Sequence, residues 1–317
     1  MYKLSVIVME DKINKNKYKT LDSLLNQTLK DMEILYTTDL EENKTKELAE
    51  YVLKNNIKEK SNVNEAIVSA TGEYTVIANS NVFFEKNWAQ KLYDYAKIDN
   101  EDMIVCDIDI EDYQENKLKS YSFESIEKDK NMIAYLNWNL CNLLFKTEKI
   151  KDIKLKNNNK YNELLFILEA MLKCSKIGYA QDVRCYMYMK ETELADIELK
   201  DIEELKDILK EAKQIYKTNN KYNLSNKNLF SAIAFSKLGV DLLNKIYAKQ
   251  ELNININEMI RDIINYLDVN FFEWRNNPIL RNATTKKEYA YIWYANKMYR
   301  YGYMNLYLKL HKFMSKR

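Results

Sequence analysis

Three short stretches of this chain hold residue types and spacings that can do chemistry. Cys106-Asp107-Ile108-Asp109 is a literal Asp-x-Asp. Two carboxylates two residues apart on a strand point to one face, and such a pair can ligate a hard divalent cation. A strand with one solvated edge gives the same pattern with no metal, and short motifs match often by accident. Asn79-Ser80-Asn81 has the same spacing with amides in place of acids. An amide oxygen is neutral and a weaker ligand for such a cation. In Asn162-Glu163 the carboxylate of Glu163 can take a proton from a hydroxyl if it faces one. The same pair also suits a helix start, with Asn162 as N-cap and Glu163 in the first turn.

The inventory removes other chemistries. His311 is the single histidine, so a His-based triad or a multi-His metal site is excluded. Cys106, Cys141, Cys174 and Cys185 form no Cys-x-x-Cys pair. With no leader pattern at the start, reduced buried thiols in a cytoplasmic protein are expected. A formal net charge of +2 gives no case for nucleic acid as a partner. The apolar run Leu164 to Leu168 is far too short to span a bilayer. The Lys, Asn, Ile and Tyr excess fits an AT-rich bacterial genome.

The elements that must position these residues follow from periodicity. Leu4–Met9, Glu33–Thr37, Glu73–Ala78 and Met103–Asp107 read as strands. Tyr18–Gln27, Thr45–Lys54, Val63–Ala70 and Lys86–Ala96 read as helices between them. That alternation predicts an α/β domain with a mostly parallel sheet flanked by helices. Ligands of such sheets bind beyond the carboxyl ends of the strands, so Thr37–Asp39 and Asn79–Asn81 are expected close together. Residues 111–160 read as irregular, with Leu140–Phe145 as a strand. Asn162–Cys174 reads as a helix and Val183–Met189 as a strand.

Several of these stretches carry a family likeness. Lys3-Leu4-Ser5-Val6-Ile7-Val8, Leu21-Asp22-Ser23-Leu24-Leu25-Asn26-Gln27-Thr28 and Ala70-Thr71-Gly72-Glu73-Tyr74 occur in this order. Asn142-Leu143-Leu144-Phe145-Lys146 and Tyr161-Asn162-Glu163 follow. Together they resemble the family-2 glycosyltransferases of GT-A fold over roughly the first 190 residues. The resemblance implies a nucleotide-sugar donor, a glycan or protein acceptor, and three acidic stations. An Asp pair after the second strand would contact base and ribose; here it reads Thr38-Asp39. An Asp-x-Asp would hold a cation against the diphosphate; here both acids are amides, Asn79 and Asn81. A later acid would activate the acceptor hydroxyl; here Asn162-Glu163 stands in its place. Beside Asn64, where the family usually has a phosphate-binding Arg, this chain has Val63.

The candidate donor-binding residues are therefore Thr38, Asp39, Asn64, Asn79 and Asn81, and Glu163 is the candidate base. No metal cofactor is expected. Loss of metal assistance forfeits several kcal/mol of transition-state stabilisation. The expected function is a glycosyltransferase-like protein of bacterial surface-glycan or glycoprotein assembly, catalytically impaired and acting as a binding or scaffolding partner. An active, metal-independent transferase is the alternative, and a pure interaction module is a third reading.

Beyond residue 190 the character changes. Asp196–Lys217, a segment spanning Phe230 to Ile246, Glu258–Trp274 and Thr285–Met314 all show helical periodicity. They predict an all-α domain over 191–317 after a transferase-like domain over 1–190. From Thr285 to Arg317, eight basic residues face the single acid Glu288, a local charge of +7, and aromatic residues are dense. Such helices either pack their rings inward or meet a protein partner or an anionic membrane surface, which would place the protein at the inner membrane face.

Overall fold

The computed structural model describes residues 2–10, 17–37, 46–112, 116–123, 134, 139–156, 159–189, 198–248, 255–282 and 290–314. The chain forms two compact units. The first comprises 1–128, 137–157 and 162–194, and the second 129–136, 158–161 and 195–317.

The first unit is built on one mixed sheet. Its strands are β1 (Leu4–Met9), β2 (Met32–Thr37), β3 (Lys58–Lys60), β4 (Tyr74–Asn79), β5 (Val82–Phe84), β6 (Met103–Glu111), β7 (Lys117–Tyr121), β8 (Leu143–Lys146) and β9 (Ile177–Tyr188). The order is β3-β2-β1-β4-β8-β6-β9-β5, with β7 paired to β6. The β3-β2-β1-β4 half is parallel throughout. β8 runs antiparallel to both of its neighbours. Leu4, Val6, Ile7 and Val8 of the central β1 are fully buried, as expected of a parallel strand covered on both faces. The helices α1 (Lys17–Leu25), α2 (Lys46–Lys54), α3 (Val63–Ser69) and α4 (Trp88–Ile98) connect the strands.

The Ala70–Tyr74 signature is explained at the amino edge of this sheet. A Cβ on Gly72 would lie 2.4 Å from the Ser5 nitrogen, so only glycine lets the turn approach β1. The Gly72 N–H donates to Ser5 Oγ at 2.8 Å. Glu33 accepts from Ser5 Oγ, from the Thr71 N–H and hydroxyl, and from Lys58 Nζ. Burial alone would raise the pKa of Glu33. The Lys58, Ser5 and Thr71 hydrogen bonds outweigh it and bring the value down to about 2.

Several elements differ from the sequence expectation: β3, β5 and β7 are not among the expected strands, and β6 runs four residues beyond Asp107. Residues Leu140–Asn142 form a 3-10 turn, and β8 begins only at Leu143. β9 starts six residues earlier than Val183 and bends at Asp182, whose φ of 56° lies in the left-handed region. Thr285–Met314 is not one helix. The described part is two helices, Ala290–Arg300 and Met304–Met314, separated at Gly302 with φ +75°.

The second unit is helical. Its described helices are Lys200–Thr218, Leu224–Ala234, Leu243–Ala248, Ile256–Asn270, Pro278–Asn282 and the two just named. A π-helical segment, Phe235–Leu242, joins the second and third, widening the helix by one residue per turn. Phe235 stacks on Trp274 at 5.3 Å and meets Tyr299 edge-on at 5.3 Å. The buried Tyr299 hydroxyl donates to the Gly239 carbonyl at 2.8 Å.

Candidate functional site

The parallel register fixes where the candidate residues stand. Met9 at the end of β1 pairs with Thr37 on one side and Asn79 on the other. Thr37 and Asn79 are thus two strand spacings apart, about 10 Å, at one carboxyl edge. Thr38 and Asp39 lie outside the described residues. Glu10, next after β1, is at the same edge, and its charge adds to burial in raising the pKa of the buried Tyr36 phenol well above the ordinary value.

The segment after β4 is held from beneath by α1. Ser80 is fully buried, its N–H donates to the Met9 carbonyl at 2.8 Å, and its own carbonyl accepts from Thr20 Oγ1 at 2.6 Å. Ser23 Oγ accepts from the Phe84 N–H. The Gln27 amide donates to the Glu85 carbonyl at 2.7 Å and accepts from the Ala89 N–H at 2.9 Å. Ser23 and Gln27 of the Leu21–Thr28 signature therefore fasten the segment Phe84–Ala89, and Thr20 just before the signature fastens Ser80 at the end of β4.

Asn79 closes β4 and is half-buried. Asn81 is tied to the end of β9. Its Nδ2 donates to the Tyr188 carbonyl at 3.0 Å, and the Tyr188 N–H donates to the Asn81 carbonyl at 2.9 Å. Asn81 Oδ1 is buried with no hydrogen-bond partner. Beside it, Phe83 stacks between Tyr186 and Tyr188 at 4.9 and 4.7 Å. Lys19 of α1 lies 4.8 Å from the Phe83 ring centre and 4.5 Å from that of Tyr188, and its Nζ donates to the Tyr188 hydroxyl. Lys19 and Tyr188 carry no motif, and nothing in the sequence announces a contact across 169 positions.

Glu163 lies near enough to the Leu140–Asn142 turn for its charge to act on Cys141. The antiparallel register of β8 on β4 carries the Leu140–Asn142 turn toward the carboxyl end of β4. Burial pushes up the pKa of the Cys141 thiol in that turn, and the negative charge of Glu163 adds to the rise. Glu163 is half-buried in the first turn of the helix Asn162–Lys173, which starts at Asn162 itself.

Asn64 has a different surrounding. Its Nδ2 donates to the Leu155 carbonyl at 2.9 Å and its Oδ1 accepts from the Leu155 N–H at 2.8 Å. Both halves of the amide are engaged in fastening that segment to α3. The neighbouring Val63 is buried.

Asp107 and Asp109 share one strand face, but the face is buried rather than solvated. Arg184 donates to Asp109 at 2.7 Å and to Asp107 at 3.1 Å. Asp107 also accepts from the Tyr179 hydroxyl and the Phe123 N–H, and Asp109 from Ser120 and Lys117. Burial raises the Asp109 pKa, and the Ser120, Arg184 and Lys117 contacts more than reverse it. This Asp-x-Asp is occupied in holding β6, β7 and β9 together.

Asn79 and Asn81 bring no charge, and the Asn81 nitrogen is already committed. Among the described residues no group of three or more His, Cys, Asp or Glu is placed to hold a metal ion. The four thiols are free, and burial raises the pKa of each above the ordinary range.

A carboxyl-edge site on a β3-β2-β1-β4 parallel half, closed by an antiparallel β8, defines the GT-A class of fold. The structure superposes on S. aureus TarS 1-349 in complex with UDP-GlcNAc with a TM-score of 0.69 at 15% identity, covering 95% of this chain and 92% of that one. It also matches the mannosyltransferase PcManGT from Pyrobaculum calidifontis, in complex with GDP-Man and Mn2+, with a TM-score of 0.50 at 12% identity over 99% and 88% of the two chains. Residues 14–147, within the first unit save for a short stretch, match the model of glycosyl transferase family 2. The cholesterol galactosyltransferase of Borreliella burgdorferi is 27% identical over 214 residues. That match covers 57% of this chain and 58% of that protein.

Proposed function

We propose that this protein binds a nucleotide-sugar at the carboxyl edge of β1, β2 and β4 without a tightly held divalent cation, and that its intrinsic sugar transfer is slow. The observation that carries this reading is the β4 end itself. Asn79 and Asn81 stand where the family resemblance places the cation's carboxylates, and Asn81 is anchored to Tyr188. The buried Oδ1 of Asn81 is suited to accept from a donor hydroxyl. Thr38 and Asp39 remain the proposed contacts to base and ribose. Glu163 is the proposed base for the acceptor hydroxyl. For Asn64 the proposed role is to fasten the Leu155 segment rather than to touch the donor.

Support for the donor class comes from the TarS structure, whose chain holds UDP-GlcNAc. The relative that acts on cholesterol makes a lipid acceptor a reading to set beside a glycan or a protein acceptor. We place the protein in glycan or glycolipid assembly, as a weak transferase or as a binding partner of one.

A second reading, active metal-independent transfer, is favoured by Lys19. Its ammonium sits against Phe83 and Tyr188, and its neighbour on α1, Thr20, holds the Ser80 carbonyl. A fixed cation there could neutralise part of the charge that develops on a leaving diphosphate. Turnover across a panel of nucleotide-sugars, with manganese and with EDTA, separates the two. Slow turnover in both conditions supports the first reading. Robust turnover in EDTA, lost in Lys19→Gln and Glu163→Ala, replaces it with the second. Turnover that requires manganese contradicts both.

A further inference from the structure

We propose that the helix Met304–Met314, with the helix before it, docks on an anionic lipid surface. The last helix has two apolar faces. Met304, Tyr307 and Leu308 are buried in the helical unit. On the opposite side Leu306, Leu310 and Phe313 are 49%, 47% and 59% exposed, and Tyr303 just before the helix is 59% exposed. Their spacing of three, four and three residues puts them on one stripe. An ordinary solvated helix carries polar side chains there.

The charge around the stripe says what covers it. No Asp or Glu occurs from Ala290 to Met314. Lys309 is exposed on the same helix, and Lys297 and Arg300 are exposed on the preceding one. Lys297 Nζ lies 3.7 Å from the Trp293 ring centre, and Tyr294 beside it is 54% exposed. A second copy of this chain would bring two cationic faces together, which like-charge repulsion opposes. An anionic bilayer satisfies all the features at once. The Leu and Phe side chains enter the acyl boundary, Tyr and Trp sit at the headgroups, and the cations meet lipid phosphates.

The test is flotation of the full chain with vesicles of phosphatidylcholine alone and of phosphatidylcholine with phosphatidylserine. Binding is expected only to the vesicles containing phosphatidylserine and is expected to fall at high salt. The triple variant Lys297→Gln/Arg300→Gln/Lys309→Gln should weaken it about a hundredfold, and Leu306→Ser/Leu310→Ser should abolish it. Both variants should keep the wild-type circular dichroism spectrum and nucleotide-sugar binding, so that failure here is distinct from failure of the donor reading. Absence of binding to the anionic vesicles would overturn the proposal, as would binding that both variants leave unchanged. Dimers of the wild-type chain that the leucine variant dissociates would assign the stripe to a second copy instead.

Discussion

Asn79 and Asn81 each differ from aspartate by one group, an NH2 in place of an oxygen, yet together they remove two formal charges from the β4 end. Restoring them tests whether the frame for a cation survives. The double variant Asn79→Asp/Asn81→Asp should acquire measurable manganese affinity by calorimetry. Tight manganese binding by the unmodified protein at this edge would show that other residues supply the ligands. Glu33 illustrates the opposite case, an acid whose charge serves the fold. Its pKa in the folded state is about 2, below its ordinary 4.5. Its contribution to stability is therefore complete above about pH 4.5 and is lost as the pH falls toward 2. Glu33→Gln should cost roughly 1–3 kcal/mol at neutral pH, because hydrogen bonds to a charged group are lost. Urea unfolding should show the wild type losing its advantage over the variant as the solution is acidified. An advantage that grows in acid would reverse the assignment.

The strands and helices of the first unit were legible because their periodicity is local. Leu4–Met9 and Val63–Ser69 fall within a residue or so of the expected bounds. What the sequence hid depends on partners far along the chain. Asp107 and Asp109 look like a solvated pair until Arg184, more than 70 positions later, is brought across β9. The Phe83 stack and Lys19 were hidden for the same reason. The break at Gly302 was open to reading, since a glycine in a helical pattern marks a C-terminal cap as well as an interior residue. Thr38 and Asp39 fall outside the described residues, so that part of the candidate site rests on sequence alone. The Gly72 turn is the element whose chemistry is tightest. Gly72→Ala places a methyl against the β1 backbone, with Ser5 nitrogen at 2.4 Å. It should destabilise the first unit by about 1–3 kcal/mol or more. Denaturant midpoints with an unchanged slope would measure this, and a neutral substitution would mean that the turn shifts freely.

Taken as a whole, the molecule joins a unit that carries most of the family-2 glycosyltransferase match at 14–147 to a helical unit built mainly from residues 195–317. Among the described residues no helix is long and apolar enough to cross a membrane. Everything proposed for the first unit turns on how its carboxyl edge meets a charged donor without carboxylates at Asn79 and Asn81. Calorimetric titration of the full chain with UDP-sugars and GDP-sugars, once in manganese and once in EDTA, tests that most directly. At least one nucleotide-sugar is expected to bind with the same dissociation constant in both solutions. Binding that appears only with manganese, or no binding to any donor in either solution, would contradict it.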